Sequence, residues 1–507
     1  MGTGVWSTQF NDLRTDRSIG GDPAARRQRL NIEPRTLSCP KYILIGCHAR
    51  EIRPPSMSEL TRSAVLGAIP SITLTSTHSA QTCLRPNHWR PYLSTRRAFI
   101  AQTTAAGVAA LASGAVESGQ KLKSSKRRHG LMLNLGIVGV GDISPRYFTQ
   151  AAASSRARFV ATCARHLESA KARAAEYGIK SWFDDYNAMY DSAELDGVVV
   201  ATPNSQHAGP AIAALERGIA VLCEKPMATS WADCQAMVRA AQRNGTVFLA
   251  LPYDATPPFL EALKYLDTSS LGVFTGAESQ LLLPGPGRDN WYYDKSVAGG
   301  AMLDSLVYPT SALIGMLGPA RRVTGFVNTL IPHRLVGGTT VDMTPPQPGG
   351  DTKVVESNVD DNVTLVIEWA GGQQAVLRTL WGTSLFRMDC TVYGRDSTLW
   401  LSGSDLIVHS PLRPVAGQPS IEWHGYTNCY RIPVRELENE GLVDHFADCI
   451  NKVAKPNCGG EQQLHVHEIL FKGYDAARTG IVQQLETTFV PWHSTDLAFM
   501  DTRSHPV

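Results

Sequence analysis

Lys225, Asp304 and Tyr308 put an ammonium, a carboxylate and a phenol into one chain, and Glu224-Lys225-Pro226 comes about 85 residues after a glycine turn at Gly139-Val140-Gly141. Moving a hydride to or from a carbinol carbon needs a group that takes or gives the hydroxyl proton. It also needs something that stabilises charge on oxygen. Asp304 and Tyr308 are four apart, so on a helix begun near Ala301 they share one face. A nearby ammonium such as Lys225 favours phenolate, so Tyr308 is expected to titrate below its ordinary value of about 10. Asp304 would orient substrate hydroxyls or tune that pair. Each residue alone also has a bland role: a core tyrosine, a helix-face acid, a salt-bridged turn lysine.

The elements around them give the residues a common purpose. Leu133 to Val140 is an apolar run of strand length, and Gly139 and Gly141 let the backbone turn sharply and approach a diphosphate. A helix start follows, with Ser144 as the expected cap and Pro145 in its first turn. Its free N–H groups would face the loop from Gly139 through Asp142 and Ile143 and favour a bound anion. The third glycine of GxGxxG is missing, and Ser144 stands in its place. Further strands are expected at Arg158 to Cys163, Asp196 to Thr202, Ile219 to Cys223 and Thr246 to Leu251. Helical stretches such as Ala208 to Arg217 and Trp231 to Arg243 lie between them. Strands alternating with helices imply a doubly wound parallel sheet, with ligands at the strand ends. Thr202-Pro203-Asn204 and Glu224-Lys225-Pro226 stand at such ends.

NAD-preferring sites place an acid about 20 residues after the glycines. This chain has Cys163-Ala164-Arg165 there, so no carboxylate repels a 2′-phosphate and Arg165 could pair with one. The expectation is NADP in preference to NAD. His207 would line the cleft or cap local backbone, and Glu224 would fix Lys225 or touch the cofactor ribose.

Residues from about 131 to 485 resemble the Gfo/Idh/MocA oxidoreductase family, on four ordered matches: GIVGVGDIS (136 to 144), VVVATPNSQH (198 to 207), CEKPMA (223 to 228) and AGGAMLDSLVYP (298 to 309). The resemblance implies an N-terminal Rossmann domain and a mainly antiparallel α+β domain. It also implies that Lys225 lies near the nicotinamide and the reacting oxygen, with Asp304 and Tyr308 facing the same cleft. Many relatives have histidine where this chain has Tyr308. The DxxxY form is similar to the branch with dihydrodiol dehydrogenases, glucose-fructose oxidoreductases and some xylose dehydrogenases, which points to sugar, polyol or diol substrates. Tyr253 to Pro258 departs from the family's usual pattern, so substrate contacts do not carry over there. Two other functions stay open: NAD-dependent glycoside hydrolysis by transient oxidation, and non-catalytic nucleotide binding.

From about Thr256 the pattern turns β-rich, at Phe274 to Leu283, Arg322 to Leu330, Val363 to Trp369, Gln374 to Trp381 and Cys390 to Leu401. This suits a second domain over 255–507, after a Rossmann domain over 131–254. Its open sheet would cover the cleft with one face and meet another subunit with the other, making a homo-oligomer. Gly337 to Asp351 reads as a surface loop. Helical stretches near Glu436 to Lys452 and Leu464 to Leu485 close the domain.

Residues 1–130 hold 19 basic against 7 acidic side chains, whereas the rest of the chain holds 29 against 39, so the formal charge of +2 hides an asymmetry. With little apolar periodicity, this basic segment reads as disordered or processed sequence rather than a nucleic-acid surface. Arg96-Arg97 before an alanine-rich stretch resembles a twin-arginine export signal over 93–130, too weakly apolar for a membrane span. Its position suggests a translation start near Leu93, with 1–92 an extension, and a periplasmic destination. If the signal is not real, the enzyme is cytoplasmic. The ten cysteines lack CxxC or metal spacing and are expected as buried thiols, and His465 and His467 fall on different sides of a helix with no metal cluster.

Overall fold

The computed structural model describes residues 132–252, 256–267, 270–287, 291–337, 352–434 and 441–492. The extension 1–92, the twin-arginine segment 93–130, Tyr253 to Ala255 and all but the first residue of the loop Gly337 to Asp351 lie outside the described residues.

The first half alternates strand and helix: β1 (Leu133–Val138), α1 (Ser144–Ala153), β2 (Ala157–Cys163), α2 (Leu167–Glu176), β3 (Ser181–Phe183), α3 (Tyr186–Ser192), β4 (Gly197–Val200), α4 (Ala208–Glu216), β5 (Ala220–Cys223), α5 (Trp231–Asn244) and β6 (Phe248–Ala250). The strands form one parallel sheet in the order β3-β2-β1-β4-β5-β6. β4 and β5 are apolar and buried throughout, as strands covered on both faces must be. The order reverses between β1 and β4, and in sheets of this kind ligands bind at the carboxyl ends of the strands beside such a reversal.

Two details of the first turn matter. Gly139 has φ +97°, and a Cβ on it would lie 2.3 Å from the Ala201 carbonyl oxygen, so the β1 turn is pressed against the end of β4. Ser144 does not cap α1, contrary to expectation. It is the first helical residue, fully buried, and its hydroxyl donates to the Gly141 carbonyl at 2.7 Å, while Ile143 takes the cap position without a side-chain bond. Pro145 does occupy the first turn.

The second half continues with α6 (Pro257–Asp267), β7 (Phe274–Leu283), α7 (Lys295–Ala298), a wide π turn at Met302–Leu306 and α8 (Val307–Leu317). Then come β8 (Arg322–Asn328), β9 (His333–Gly337), β10 (Thr352–Glu356), β11 (Asn362–Glu368), β12 (Gln374–Trp381), β13 (Arg387–Gly394), β14 (Thr398–Ser402), β15 (Asp405–His409), β16 (Ile421–Trp423), β17 (Tyr426–Ile432), α9 (Leu442–Ile450), α10 (Gly460–Thr479) and β18 (Gln483–Gln484). Ten of these strands make an open sheet in the order β16-β17-β15-β14-β13-β7-β12-β11-β8-β18, antiparallel except where β12 runs parallel to β7. The expected single run from Cys390 to Leu401 is two strands, β13 and β14, paired antiparallel.

Burial alternates along β11 and β12, which puts Leu365, Ile367 and Leu377 against Phe259 and Leu263 of α6, Leu313 and Leu317 of α8 and Ile469 and Leu470 of α10. The outer face leaves Phe326, Val376 and Met388 exposed. The helix expected near Glu436 to Lys452 does not close the second domain. It is α9, and its Phe446 and Ile450 pack on Leu135 and Val199 of the Rossmann sheet. Lys295–Leu317 is the one described helical stretch long and apolar enough to cross a membrane, and 83% of its apolar window is buried in the core. The described cysteines are all buried and none of them forms a disulfide with another, and no described cluster of three or more His, Cys, Asp or Glu could hold a metal ion.

Replacing Gly139 should strain the turn whatever the side chain. Gly139→Ala is expected to lower unfolding free energy by roughly 1–3 kcal/mol. Denaturant unfolding checks this, and an unchanged midpoint would show that the β1 turn can back away from Ala201.

Candidate active site

Lys225 stands just past β5, with a cis peptide to Pro226. Its side chain is 13% exposed, and Nζ donates to Asp304 Oδ1 at 2.7 Å and to the Asp304 carbonyl at 3.1 Å. Asp304 is 1% exposed. Burial works against the Lys225 charge, but the Asp304 carboxylate, with Tyr308 and Tyr292 nearby, outweighs it and holds the ammonium well above its ordinary range. The same Nζ lies 5.3 Å from the centre of the Tyr308 ring, within cation–π reach. The three residues picked out for chemistry therefore meet.

A π turn brings Asp304 and Tyr308 together. The expected regular helix from Ala301 is wound wider over Met302–Leu306 before α8 begins, and such turns re-aim side chains near functional sites. Its start is held by Asp360, whose carbonyl accepts the Ala301 N–H at 3.1 Å and whose Oδ2 accepts the Met302 N–H at 2.8 Å. A Cβ on Gly300 would sit 2.1 Å from Asp360 Oδ1, so the second glycine of the pair is obligatory.

One expectation reverses. Burial pushes the Tyr308 phenol above its ordinary value, and the opposing pull of Lys225 does not overcome it, because Glu224 and Asp304 add negative charge nearby. Tyr308 is a protonated donor at neutral pH, not a phenolate. Sequence reasoning also missed Tyr292, a phenol raised by burial that interacts electrostatically with Asp304, Lys225 and Tyr308, and whose ring stacks on Trp291 at 4.0 Å. The only sequence signal was its place in the aromatic run Trp291 to Tyr293.

The cofactor residues divide into those open to a ligand and those spent on the protein. Gly141 has open space around its Cβ position, and Asp142, Ile143 and Arg165 are exposed. Ala164 is half-buried, and Arg165 Nε donates to His166 at 3.3 Å. Thr202 Oγ1 and Asp304 Oδ2 are buried atoms without partners, at the end of β4 and beside Lys225. Buried polar atoms seldom stay unpaired unless a ligand completes them. No side chain caps α1, so its N-terminus remains suited to a diphosphate. The residues present fit a dinucleotide.

Others have side chains bonded within the protein. Asn204 is buried and donates to the Ala298 carbonyl at 2.9 Å, and Pro203 leads into that short turn. His207 takes the second of its two expected roles and meets local backbone. It is fully buried, with Nδ1 2.8 Å from the Pro226 carbonyl and Nε2 2.9 Å from the Thr202 carbonyl, and burial lowers its pKa against the pull of both. Glu224 fixes Lys225 as expected, through the backbone rather than the ammonium. It accepts from the Tyr147 hydroxyl at 2.6 Å and from the Lys225 backbone N–H at 3.1 Å, fastening the loop to α1. Tyr147, wholly buried, went unnoticed in the sequence.

Residues 133–251 match the model of an oxidoreductase family with an NAD-binding Rossmann fold, and 259–400 match the GFO/IDH/MocA C-terminal domain. The chain belongs to the Gfo/Idh/MocA oxidoreductase family. It is 29% identical over 256 residues to levoglucosan dehydrogenase of Pseudarthrobacter phenanthrenivorans, covering 47% of this chain and 65% of that enzyme. It is 25% identical over 355 residues to D-xylose 1-dehydrogenase (NADP(+)) 2 of Haloferax volcanii, covering 69% and 99%. The solved complex of levoglucosan dehydrogenase with NADH and levoglucosan superposes with TM-score 0.59 at 20% identity, over 70% of this chain and all of that one, which shows the shared fold.

The open space at Gly141 gives a test. Gly141→Val should leave the melting temperature nearly unchanged and weaken NAD(P)H binding by about tenfold or more, since it would fill the ground where the diphosphate approaches. Fluorescence titration of the nucleotide checks it, and undiminished affinity would place the cofactor elsewhere.

Proposed function

We propose that this chain, an oxidoreductase by family, transfers a hydride between a nicotinamide and a carbinol or carbonyl carbon of a sugar, polyol or diol. The observation that carries this reading is the buried contact of Lys225, Asp304 and Tyr308 with Asp304 Oδ2 left unpaired. The bound nicotinamide supplies the hydride acceptor or donor. Lys225 donates to the substrate oxygen and stabilises charge that develops there, Asp304 Oδ2 accepts from a substrate hydroxyl, and Tyr308 donates from the side.

NADP is the preferred cofactor in this reading, because Arg165 and His166 stand exposed at the end of β2 where an acid would exclude a 2′-phosphate. The second domain supplies Asp304 and Tyr308. Its uncovered sheet face, with Phe326, Val376 and Met388, is the surface for a homo-oligomer. Arg96-Arg97 and the apolar stretch after it support export in folded form to the periplasm.

The deciding experiment identifies any nucleotide carried through purification by mass spectrometry, then follows nicotinamide absorbance with NADP and NAD against aldoses, polyols and diols. Release of a glycoside product without net change in absorbance would instead favour hydrolysis by transient oxidation. Lys225→Met should reduce turnover by about a thousandfold or more while cofactor affinity stays within about threefold. Turnover at the original rate would remove Lys225 from the chemistry.

The pH dependence follows from the raised pKa of Lys225 and of Tyr308. Groups held above their ordinary values stay protonated through neutral pH, so the base needed for alcohol oxidation becomes more abundant as pH rises. Oxidative kcat/KM should rise by up to about tenfold per pH unit from neutral into the alkaline range, while the reductive direction stays level until the proton is lost. An oxidative profile that is flat there would contradict the assignment.

A further inference from the structure

A single helix reaches both halves of this site without touching the reacting groups. His467 and Tyr474 lie seven apart on α10, two turns along one face. His467 Nε2 accepts the Met227 N–H at 2.9 Å, and its Nδ1–H donates to the Gln463 carbonyl at 2.7 Å. The ring is fully buried and neutral, its pKa pulled down to about 4 by burial, and each nitrogen has the partner its protonation requires. Met227 is two residues past Lys225. The other end of the same peptide unit, the Pro226 carbonyl, meets His207 Nδ1 at 2.8 Å. Buried imidazoles therefore stand at both ends of one peptide group of the Lys225 loop, and His467 accepts its N–H.

Tyr474 performs the matching task on the far side. Its hydroxyl lies 2.9 Å from the Gly299 carbonyl and 2.6 Å from Asp360 Oδ1, and Asp360 in turn holds the start of the π turn that presents Asp304. Lys295 packs over the Tyr474 ring at 4.6 Å and pairs with Asp360 at 3.3 Å. α10 is itself pinned, through Gln463 Nε2 to Ser311 Oγ at 2.6 Å and through Glu468, which accepts the Glu486 and Thr487 N–H groups at 2.8 Å each. Seven residues of helix span about 10 Å of rigid rise, which suits a spacer better than a loop would.

We propose that α10 is a strut that sets the distance between the Lys225 ammonium and the Asp304–Tyr308 turn, with His467 and Tyr474 as its two positioning residues. This rests on the reading that those three groups handle the substrate oxygen. An apolar residue in place of His467 would fill the space but leave the buried Met227 N–H unpaired and the loop free to drift. Small displacements of that kind cost rate without costing cofactor affinity.

The test uses the full-length chain with His467→Leu, His467→Gln and Tyr474→Phe, read by hydrogen–deuterium exchange, nucleotide titration and turnover. His467→Leu should speed exchange at the Met227 amide and lower kcat by about tenfold or more, with the NADPH dissociation constant within about twofold of the original. His467→Gln, whose amide can both accept and donate, should restore most of the protection and the rate. Tyr474→Phe should speed exchange over Gly300 to Met302 and lower kcat in the same way. Unchanged exchange at both segments overturns the strut. So does a loss of kcat that tracks a lower melting temperature and that glutamine does not rescue, which would make α10 general scaffold. If His467→Leu fails to fold, the other two variants decide by the same criteria. A wild-type chain that turns over none of the substrates tried would count against the oxidoreductase reading, and the exchange data alone would then decide the strut.

Discussion

Burying a charge in protein requires a partner, and the partner chosen for Lys225 ties the two halves of this molecule together. The pair spans 79 residues of sequence and joins the end of a Rossmann strand to the π turn of the second domain. Removing either member would leave the other desolvated and uncompensated, so the contact ties the end of β5 to the π turn. The pair is also incomplete in a useful way. Asp304 spends Oδ1 on the ammonium and leaves Oδ2 buried and unpaired. A well-packed interior tolerates such an atom poorly, and a hydroxyl-bearing ligand satisfies it.

Around that pair, much of the polar chemistry is scaffolding. Asn204, His207 and Glu224 stand in the motifs that announce a nucleotide site, yet their side chains hold loops to one another: Asn204 to Ala298, His207 to Thr202 and Pro226, Glu224 to Tyr147. A loop cannot present backbone groups to a ligand unless its remaining groups are tied down, because buried unpaired amides and carbonyls are costly. The motif residues thus divide between an open rim at Gly141, a buried and unpaired Thr202 Oγ1 behind it, and a hidden frame.

This division explains what the sequence could and could not disclose. The parallel sheet was legible because β1, β4 and β5 are continuous apolar runs of strand length. The meeting of Lys225, Asp304 and Tyr308 was legible because ordered motifs fall at strand ends. The π turn was not legible, since its cause lies in Asp360, whose bonds to the Ala301 and Met302 N–H groups come from 58 or more positions away. Nor was the packing of α9 on the Rossmann sheet, because an amphipathic helix shows that it has a buried face without showing which surface receives it. His465 and His467 were rightly separated to different sides of one helix. Their partners, the Ala320 and Met227 N–H groups, are backbone atoms and leave no mark in the sequence. The sign of the Tyr308 shift failed for a related reason: a charge partner can be guessed from spacing, but the depth of burial that outweighs it cannot.

That sign shapes how proton and hydride can be coupled. With Lys225 charged, Asp304 opposing it and Tyr308 neutral, the protonated site suits a reduced, uncharged nicotinamide and a carbonyl that needs a proton. An oxidised nicotinamide is a cation, and a like charge beside Lys225 and Tyr308 makes both release their protons more easily. In the proposed reaction these residues would hold a proton more tightly in the state that gives it to oxygen, and more loosely in the state that takes one from a hydroxyl. The low-dielectric surroundings that raise the Tyr308 phenol also strengthen the pull of Asp304 on the Lys225 ammonium, since charges interact more strongly where water is excluded. Burial raises the Tyr308 pKa, whereas the Asp304 carboxylate, working against the cost of burial, raises that of Lys225.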